Sequence, residues 1–147
     1  MLSRGGLYAL QAALHLAQVE DGTPVSAARM AEHLQVPPEY LAKVLHRMAQ
    51  DGILHSQRGA YGGYRLVHDP DELTVERVVE SFEGIEPPKV CLLGGQCDMA
   101  NPCSAHLRRL EWNEAMRKIL AATRVSELLG RPATTGFGLP TLDTFDI

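Results

Sequence analysis

All three cysteines of the chain fall in one stretch, CLLGGQCDMANPCSAH, spaced Cys91-x5-Cys97-x5-Cys103, and His106 follows three residues after the last of them. Three thiols and an imidazole at this density are a candidate ligand set. Gly94 and Gly95 give the first loop freedom to wrap an ion or a cluster. Asn101-Pro102 reads as a helix start, with Asn101 as N-cap and Pro102 as the first helical residue. That places Cys103 in the first turn, where the helix dipole favours the thiolate that a metal requires. Cys103 and His106, three apart on the helix, can face the same side. Structural zinc sites usually present CxxC-like knuckles, which this stretch lacks, and gaps of five residues suit something larger than one ion. Three thiolates and one imidazole fit an iron–sulfur cluster better. The nitrogen ligand raises the reduction potential and makes ligation sensitive to protonation. The residues alone leave other readings open: metal-free redox thiols with Cys103 as the reactive partner, unligated structural cysteines, or zinc. A Cys103/His106 nucleophile has no identifiable orienting group or substrate cleft, so the expectation is that the protein is not an enzyme.

Composition sets the frame for this stretch. The 147 residues suffice for one domain or a small domain with an arm, and 45% hydrophobic with 22% charged residues is ordinary for a globular chain. No apolar run approaches the ~18 residues that a membrane span needs. The N-terminal stretch MLSRGGLYALQAALHLAQVEDG is periodic and interrupted by Gln11, His15 and Gln18, so it reads as an amphipathic helix and not a signal peptide. A cytoplasmic location, with reduced thiols, is expected. The net charge of −4 argues by itself against a nucleic-acid partner. The average conceals an asymmetry: from Arg29 to Arg65 five basic residues outnumber three acidic ones, leaving that segment at +2 and the remainder at −6.

The elements that must position these groups follow from periodicity. Leu7, Leu10, Leu14 and Ala17 predict a first helix from about Gly6 to Val19. Ser26 caps a second, short helix carrying Ala27, Met30, Ala31 and Leu34 inward. Pro37-Pro38 opens a third, in which Leu41, Val44, Leu45 and Met48 share one face and Gly52 ends the helix. ILHSQ and GYRLV, separated by a glycine-rich tip, predict a hairpin. This order is that of a winged helix-turn-helix. Thr74 caps a further helix with Val75, Val78, Val79 and Phe82 inward and Gly84 as its stop. A long helix runs from Pro102 to about Ala122, with Trp112, Ala115, Met116, Ile119 and Leu120 as its apolar stripe, and a short helix ends near Leu129. The tail, 131–147, is rich in Gly, Pro and Thr and is expected to be disordered.

A helix-turn-helix reads DNA with the outward residues near the start of its second helix, here Glu39, Tyr40, Lys43, His46 and Arg47. Lys43 and Arg47, one turn apart, suit phosphate or guanine contact. Arg58, at the hairpin tip, suits a narrow minor groove. The plain alternatives are that Lys43 and Arg47 are solvated surface charges, that Tyr40 is half buried against the first helix, and that the module binds protein.

At this point the chain resembles the Rrf-two family of bacterial winged-helix regulators, which includes iron–sulfur sensors of the IscR and NsrR types. The resemblance spans roughly Leu2 to Leu129 and is carried by GLYAL, VPPEYLAKVLHRM, RGAYGGYRL, LTVERVVESFEG and the three-cysteine loop before a long helix. It implies a mainly α fold with a winged helix-turn-helix over 1–84, a cluster-binding loop over 85–101 and a dimerisation helix with a short helix over 102–130. It implies a homodimer whose core is the Trp112–Leu120 stripe, and a DNA operator with pseudo-palindromic half-sites ~34 Å apart. It also implies a transcriptional regulator, expected to be a repressor, controlled by a cluster on Cys91, Cys97 and Cys103. The signal would be iron–sulfur status, redox state or nitric oxide. IscR-like members place a histidine where His106 stands and carry a 2Fe–2S cluster. NsrR-like members use a first-helix aspartate and carry a 4Fe–4S cluster. The matching position here, near Leu7 and Tyr8, holds no carboxylate, so the 2Fe–2S form is favoured and 4Fe–4S is the alternative. The sequence departs from the family at Pro37, often serine, and at Ala42, acidic in the IscR type. That relative's operator is not expected to transfer.

Overall fold

Ser3 starts the first helix: its hydroxyl accepts from the Gly6 amide at 3.0 Å, so α1 runs Arg4–Ala17, two residues ahead of the predicted span at both ends. The computed structural model describes residues 2–19, 21–83, 93, 98 and 100–129. Within them follow α2 (Ala27–Leu34), α3 (Pro38–Gln50), β1 (Leu54–Gln57), β2 (Gly63–Leu66), α4 (Val75–Val79), α5 (Ser104–Ala122) and a 3₁₀ turn over Ser126–Leu129. Ser26 caps α2 through the Arg29 amide (3.3 Å), and Thr74 caps α4 through the Arg77 amide (3.2 Å), as predicted. The strands form an antiparallel hairpin in the register Leu54–Leu66 to Gln57–Gly63.

Helix α4 is shorter than its sequence pattern suggests. After Val79 the chain turns toward α1, where Ser3 Oγ donates to the Phe82 carbonyl (3.1 Å) and the Ser3 amide donates to Glu83 Oε1 (2.7 Å). A Cβ at Gly6 would meet the Glu83 carboxylate, the flexible end of a side chain that would have to shift away. The acid also sits at the N-terminus of α1, which favours negative charge. The predicted stop at Gly84 and the tail 131–147 lie outside the described residues.

One apolar cluster joins these elements. Ala9, Ala12 and Ala13 keep α1 slender enough for its neighbours to approach, and Met30, Leu41, Leu45, Met48, Ile53, Val75, Val78 and Val79 fill the space between them. Each large side chain buried this way contributes about 1.5–3 kcal/mol of transfer free energy. The far end of α5 returns to the cluster. Val75 N donates to Thr123 O and Val125 N to Leu73 O, both at 2.9 Å, and Val125 is fully buried. No helix among the described residues is long and apolar enough to cross a membrane.

Beyond its buried Met30, Ala31 and Leu34, two further contacts flank α2. Val25 and Tyr64 exchange backbone hydrogen bonds (3.0 and 2.8 Å), which fixes the hairpin to the start of α2. A Cβ at Gly63 would lie 2.5 Å from the Val25 carbonyl carbon and oxygen, so only glycine allows that pairing. At the other end of α2, the rings of His33 and His15 lie 4.5 Å apart. Burial, then the neighbouring His33 and Arg29 charges, lower the His15 pKa from its ordinary 6.5.

Gly63→Ala is expected to cost about 1–3 kcal/mol through this backbone collision. Hydrogen exchange should show it as faster exchange of the Val25 and Tyr64 amides than in the wild type. Protonation of His15 is resisted in the folded state, so its contribution is complete above pH 6.5 and is lost as pH falls from there toward the lower folded value. The melting temperature of the wild type should therefore drop more on acidification than that of His15→Gln, as differential scanning calorimetry will show.

Candidate nucleic-acid interface and thiolate site

Helix α3 is divided cleanly. Leu41, Val44, Leu45 and Met48 are buried, which forces Glu39, Lys43, His46 and Arg47 outward. The turn before it passes through Gln35, whose left-handed backbone (φ 54°) is the one positive φ at a non-glycine among the described residues. The Gln35 and Val36 amides close the end of α2 on the Glu32 and Ala31 carbonyls (3.3 and 3.1 Å). No glycine marks this turn in the sequence. Pro37 and Pro38 then start α3 in the first-turn position where a missing N–H costs nothing.

The outward residues are not equivalent. Lys43 and His46 are exposed, and Lys43 has no ion-pair partner among the described residues. Tyr40 sets its ring edge-on against Tyr8 of α1 at 5.3 Å and is 38% exposed, so much of it is spent on packing. Arg47 pairs with Asp51 at 3.2 Å. Asp51 in turn accepts a short hydrogen bond from Ser81 Oγ, and its carbonyl accepts from Arg77 Nη2 (2.7 Å). The end of α3 is thereby tied to the segment that leads toward the cysteines. In the sequence, Asp51 beside Gly52 reads as an ordinary turn, and nothing local signals its role.

The hairpin tip carries Arg58 and Tyr61, both exposed. Tyr61 reads in the sequence as one more residue of a glycine-rich turn, and only its 91% exposure distinguishes it.

Of the four expected ligands, Cys91 and Cys97 lie outside the described residues, as do Gly94 and Gly95. Cys103 and His106 stand at the head of α5. The predicted capping is corrected: α5 begins at Ser104, and Cys103 occupies the N-cap position in extended backbone (φ −74°, ψ 167°) without a side-chain cap bond. Asn101 instead donates its side-chain amide to Asp98 Oδ2 (3.4 Å), while the Ala100 amide donates to Asp98 Oδ1 (2.9 Å). These bonds, the Ala100 amide first, hold the Asp98 carboxyl below its ordinary range. This turn consumes the residues that were expected to open the helix. Cys103 is exposed, whereas His106 is buried at 9% exposure. Among the described residues no three histidines, cysteines or carboxylates converge on a metal position. The donor chemistry of Cys103 and His106, a thiol and an imidazole, nevertheless suits an iron–sulfur cluster.

Beyond its head, α5 exposes apolar side chains. Trp112 (62% exposed), Met116 and Ile119 (59%) face away from the cluster, Ala115 is exposed beside them, and Leu107 and Leu110 extend the exposed apolar surface toward the head. Leu120 differs from the rest of the predicted stripe, because it packs against the chain's own core.

Comparison with known proteins agrees with this architecture. The family model described as Rrf2, iron-dependent transcriptional regulator, matches residues 2–131. Protein rrf2 of Nitratidesulfovibrio vulgaris is 31% identical over 114 residues, 75% of this chain and 72% of that protein. The HTH-type transcriptional regulator IscR of Klebsiella pneumoniae is 27% identical over 128 residues, 87% of this chain and 78% of its own length. Among solved structures, CymR (YrzC), the global cysteine regulator of B. subtilis, superposes with a TM-score of 0.67 at 25% identity, covering 88% of this chain and 95% of that one. A buried-face recognition helix, a hairpin wing braced on α2 and these relationships together establish that the chain belongs to the Rrf2 (Rrf-two) family of winged-helix, DNA-binding transcriptional regulators, which are not enzymes.

Proposed function

We propose that the chain is a homodimeric repressor whose operator affinity is set by an iron–sulfur cluster held by Cys91, Cys97, Cys103 and His106. The observation that carries this reading is the position of Cys103 and His106 at the head of α5, a helix whose other end is hydrogen-bonded into the DNA-reading body at Leu73 and Val75. When bound, such a cluster supplies a centre sensitive to iron–sulfur status, redox state and nitric oxide, with the 2Fe–2S form favoured by a histidine ligand and 4Fe–4S as the alternative. The remaining steps belong to the chain. Cys103, at the N-cap, and His106, in the first turn of α5, would hold the group from the head of that helix. The other end of the loop is anchored where Glu83 meets Ser3 and where Ser81 meets Asp51, beside Arg47 of the recognition helix. Cluster binding would in this reading couple those anchors, and through them α3, to the head of α5. Glu39, Tyr40, Lys43, His46 and Arg47 enter the major groove, and Arg58 enters the adjacent minor groove. Tyr40 is a minor contributor because of its packing on Tyr8.

Helix α5, by its exposed face, supports a second copy of the chain as the partner. Its 19 residues extend about 28 Å and present Trp112, Ala115, Met116 and Ile119 to solvent in the single chain. Exposed apolar side chains in one contiguous patch mark an interaction surface, and a two-fold partner satisfies it with the same residues from both copies.

A second reading has its own support. The exposed thiol of Cys103 and the similarity to the cysteine regulator CymR suit a cluster-free thiol switch. Zinc in a winged-helix interaction module is a third. Anaerobic purification with iron, sulfide and zinc counts and a visible spectrum separates them: iron and sulfide with a coloured protein support the cluster, a colourless metal-free chain supports the thiol switch, and stoichiometric zinc supports the third.

Holo and apo protein should differ in operator affinity by roughly 5- to 150-fold at fixed salt, the range of ordinary allosteric coupling. Equal affinities by anisotropy titration would remove the switch, and an unchanged chromophore in His106→Ala would reassign the fourth ligand. Trp112→Glu combined with Ile119→Glu should convert the dimer to a monomer in sedimentation with the melting transition retained. A variant that stays dimeric would place the interface elsewhere.

A further inference from the structure

We propose that Tyr61 is a second DNA contact of the wing, laying its ring against the deoxyribose wall of the minor groove that receives Arg58. The inference rests on the reading of the hairpin as a DNA-contacting wing and extends it to a residue that reading does not use. Tyr61 is 91% exposed, more than any other large apolar side chain among the described residues. A single exposed aromatic is unremarkable by itself. Three features of its surroundings give it a role.

The first is rigidity. The Gly62 amide donates to the Gly59 carbonyl (3.0 Å), closing the tip into a tight turn. The strands behind it are paired through Gln57–Gly63, and β2 is braced on α2 by the Val25–Tyr64 pair. The Tyr61 ring is therefore held out on a fixed support, and ordering it on DNA costs the two side-chain torsions of tyrosine and little backbone entropy.

The second is charge. Residues 52–68 contain no Asp or Glu, while Arg58 and Arg65 are both exposed on the hairpin. Nothing on the wing repels phosphates, so the tip can approach a duplex closely even though the whole chain carries −4.

The third is fit. The minor groove is about 6 Å wide, and its walls are sugar rings with apolar faces. A flat ring three residues from an arginine can lie along one wall while the guanidinium occupies the negative floor. The contact is with sugar, so it reads the width of the groove and not the identity of the base. It also neutralises no phosphate, and that separates it from Arg58 experimentally.

The test uses the full chain and a duplex of about 40 base pairs isolated with the wild-type protein from a randomised pool. Affinities of wild type, Tyr61→Ala, Tyr61→Phe and Arg58→Ala are measured by fluorescence anisotropy across a salt series. Tyr61→Ala should weaken binding roughly tenfold, the order expected for losing the burial of an aromatic ring, with the wild-type slope of affinity against salt. Tyr61→Phe should stay within about twofold of wild type. Arg58→Ala should lower the slope by about 0.9 if it neutralises one phosphate, or leave it if it contacts bases only. Equal melting temperatures of wild type and both Tyr61 variants locate any loss at the interface, since the ring is almost wholly exposed. Wild-type affinity in Tyr61→Ala alongside weakened Arg58→Ala overturns the inference and leaves the wing reading intact. Wild-type affinity in both overturns the wing reading as well. A loss in Tyr61→Phe as large as in Tyr61→Ala assigns the contact to the hydroxyl and overturns ring packing.

Discussion

The burial of one face of α3 is the constraint on which the rest of the structure depends. Leu41, Val44, Leu45 and Met48 meet α1, α2 and the start of the hairpin in one cluster. A helix whose apolar stripe is committed in this way cannot rotate about its axis without exposing several large side chains. The opposite face, with Lys43 and His46, is therefore fixed in direction. Shape complementarity to a groove requires such fixity, because a recognition helix free to roll would present a different set of side chains to each base step. The winged hairpin inherits the same frame, since Ile53 is fully buried in the cluster just before β1 and the Val25–Tyr64 pair locks β2 to the helix-turn-helix.

Around this core, the segments that flank the cysteines are both tied into the DNA-reading body. On one side Glu83 bonds to Ser3 at the N-terminus of α1, and Ser81 bonds to Asp51 at the end of α3. On the other, the Thr74–Arg124 bridge and the buried Val125 clamp the C-terminal end of α5. The Ser81, Asp51 and Arg47 side chains are partly solvated, and such contacts are individually weak. Their consequence is geometric: Ser81, just before the cysteine stretch, is joined to the end of α3, and the far end of α5 is joined to the same body at Leu73 and Val75.

Helix α5 has a different physical character from the others. Its surface ion pairs, Arg108–Glu111 and Arg117–Glu114, are local and exposed, so they support the helix only slightly. Its large apolar residues Trp112 and Ile119 are outside the core. The helix packs on α4 and is tied to the body at the return through Thr123–Val125, while Trp112 and Ile119 on its other side stay exposed.

Most of the winged helix was legible in the sequence because its signals are local. The caps at Ser26 and Thr74, the heptad-like spacing of the α3 core residues and the glycine-rich hairpin tip each specify their element within a few residues. The start of α5 is locally ambiguous in the sequence: Asn101 can cap a helix or close a turn on Asp98, and in the structure the turn prevails and the helix starts at Ser104. The chemistry of Cys103 and His106 was visible in residue type and spacing, but their unequal burial was not, because it depends on what packs against the head of α5. By itself the sequence determined the winged-helix order of elements and the buried face of α3, since residue type and periodicity carry that information; on α1, by contrast, Tyr8, Ala9, Ala12, Ala13 and Leu16 form the core, while Leu10, Leu14 and Ala17 are only partly buried and Leu7 lies outside the cluster. Only the tertiary structure decided that Tyr40 leans on Tyr8, that Asp51 joins Arg47 to Ser81, that Glu83 closes on Ser3 and that Leu120 turns inward. Each of these is a contact between residues distant in the chain or on separate elements, and its partner is set by the packing of whole helices.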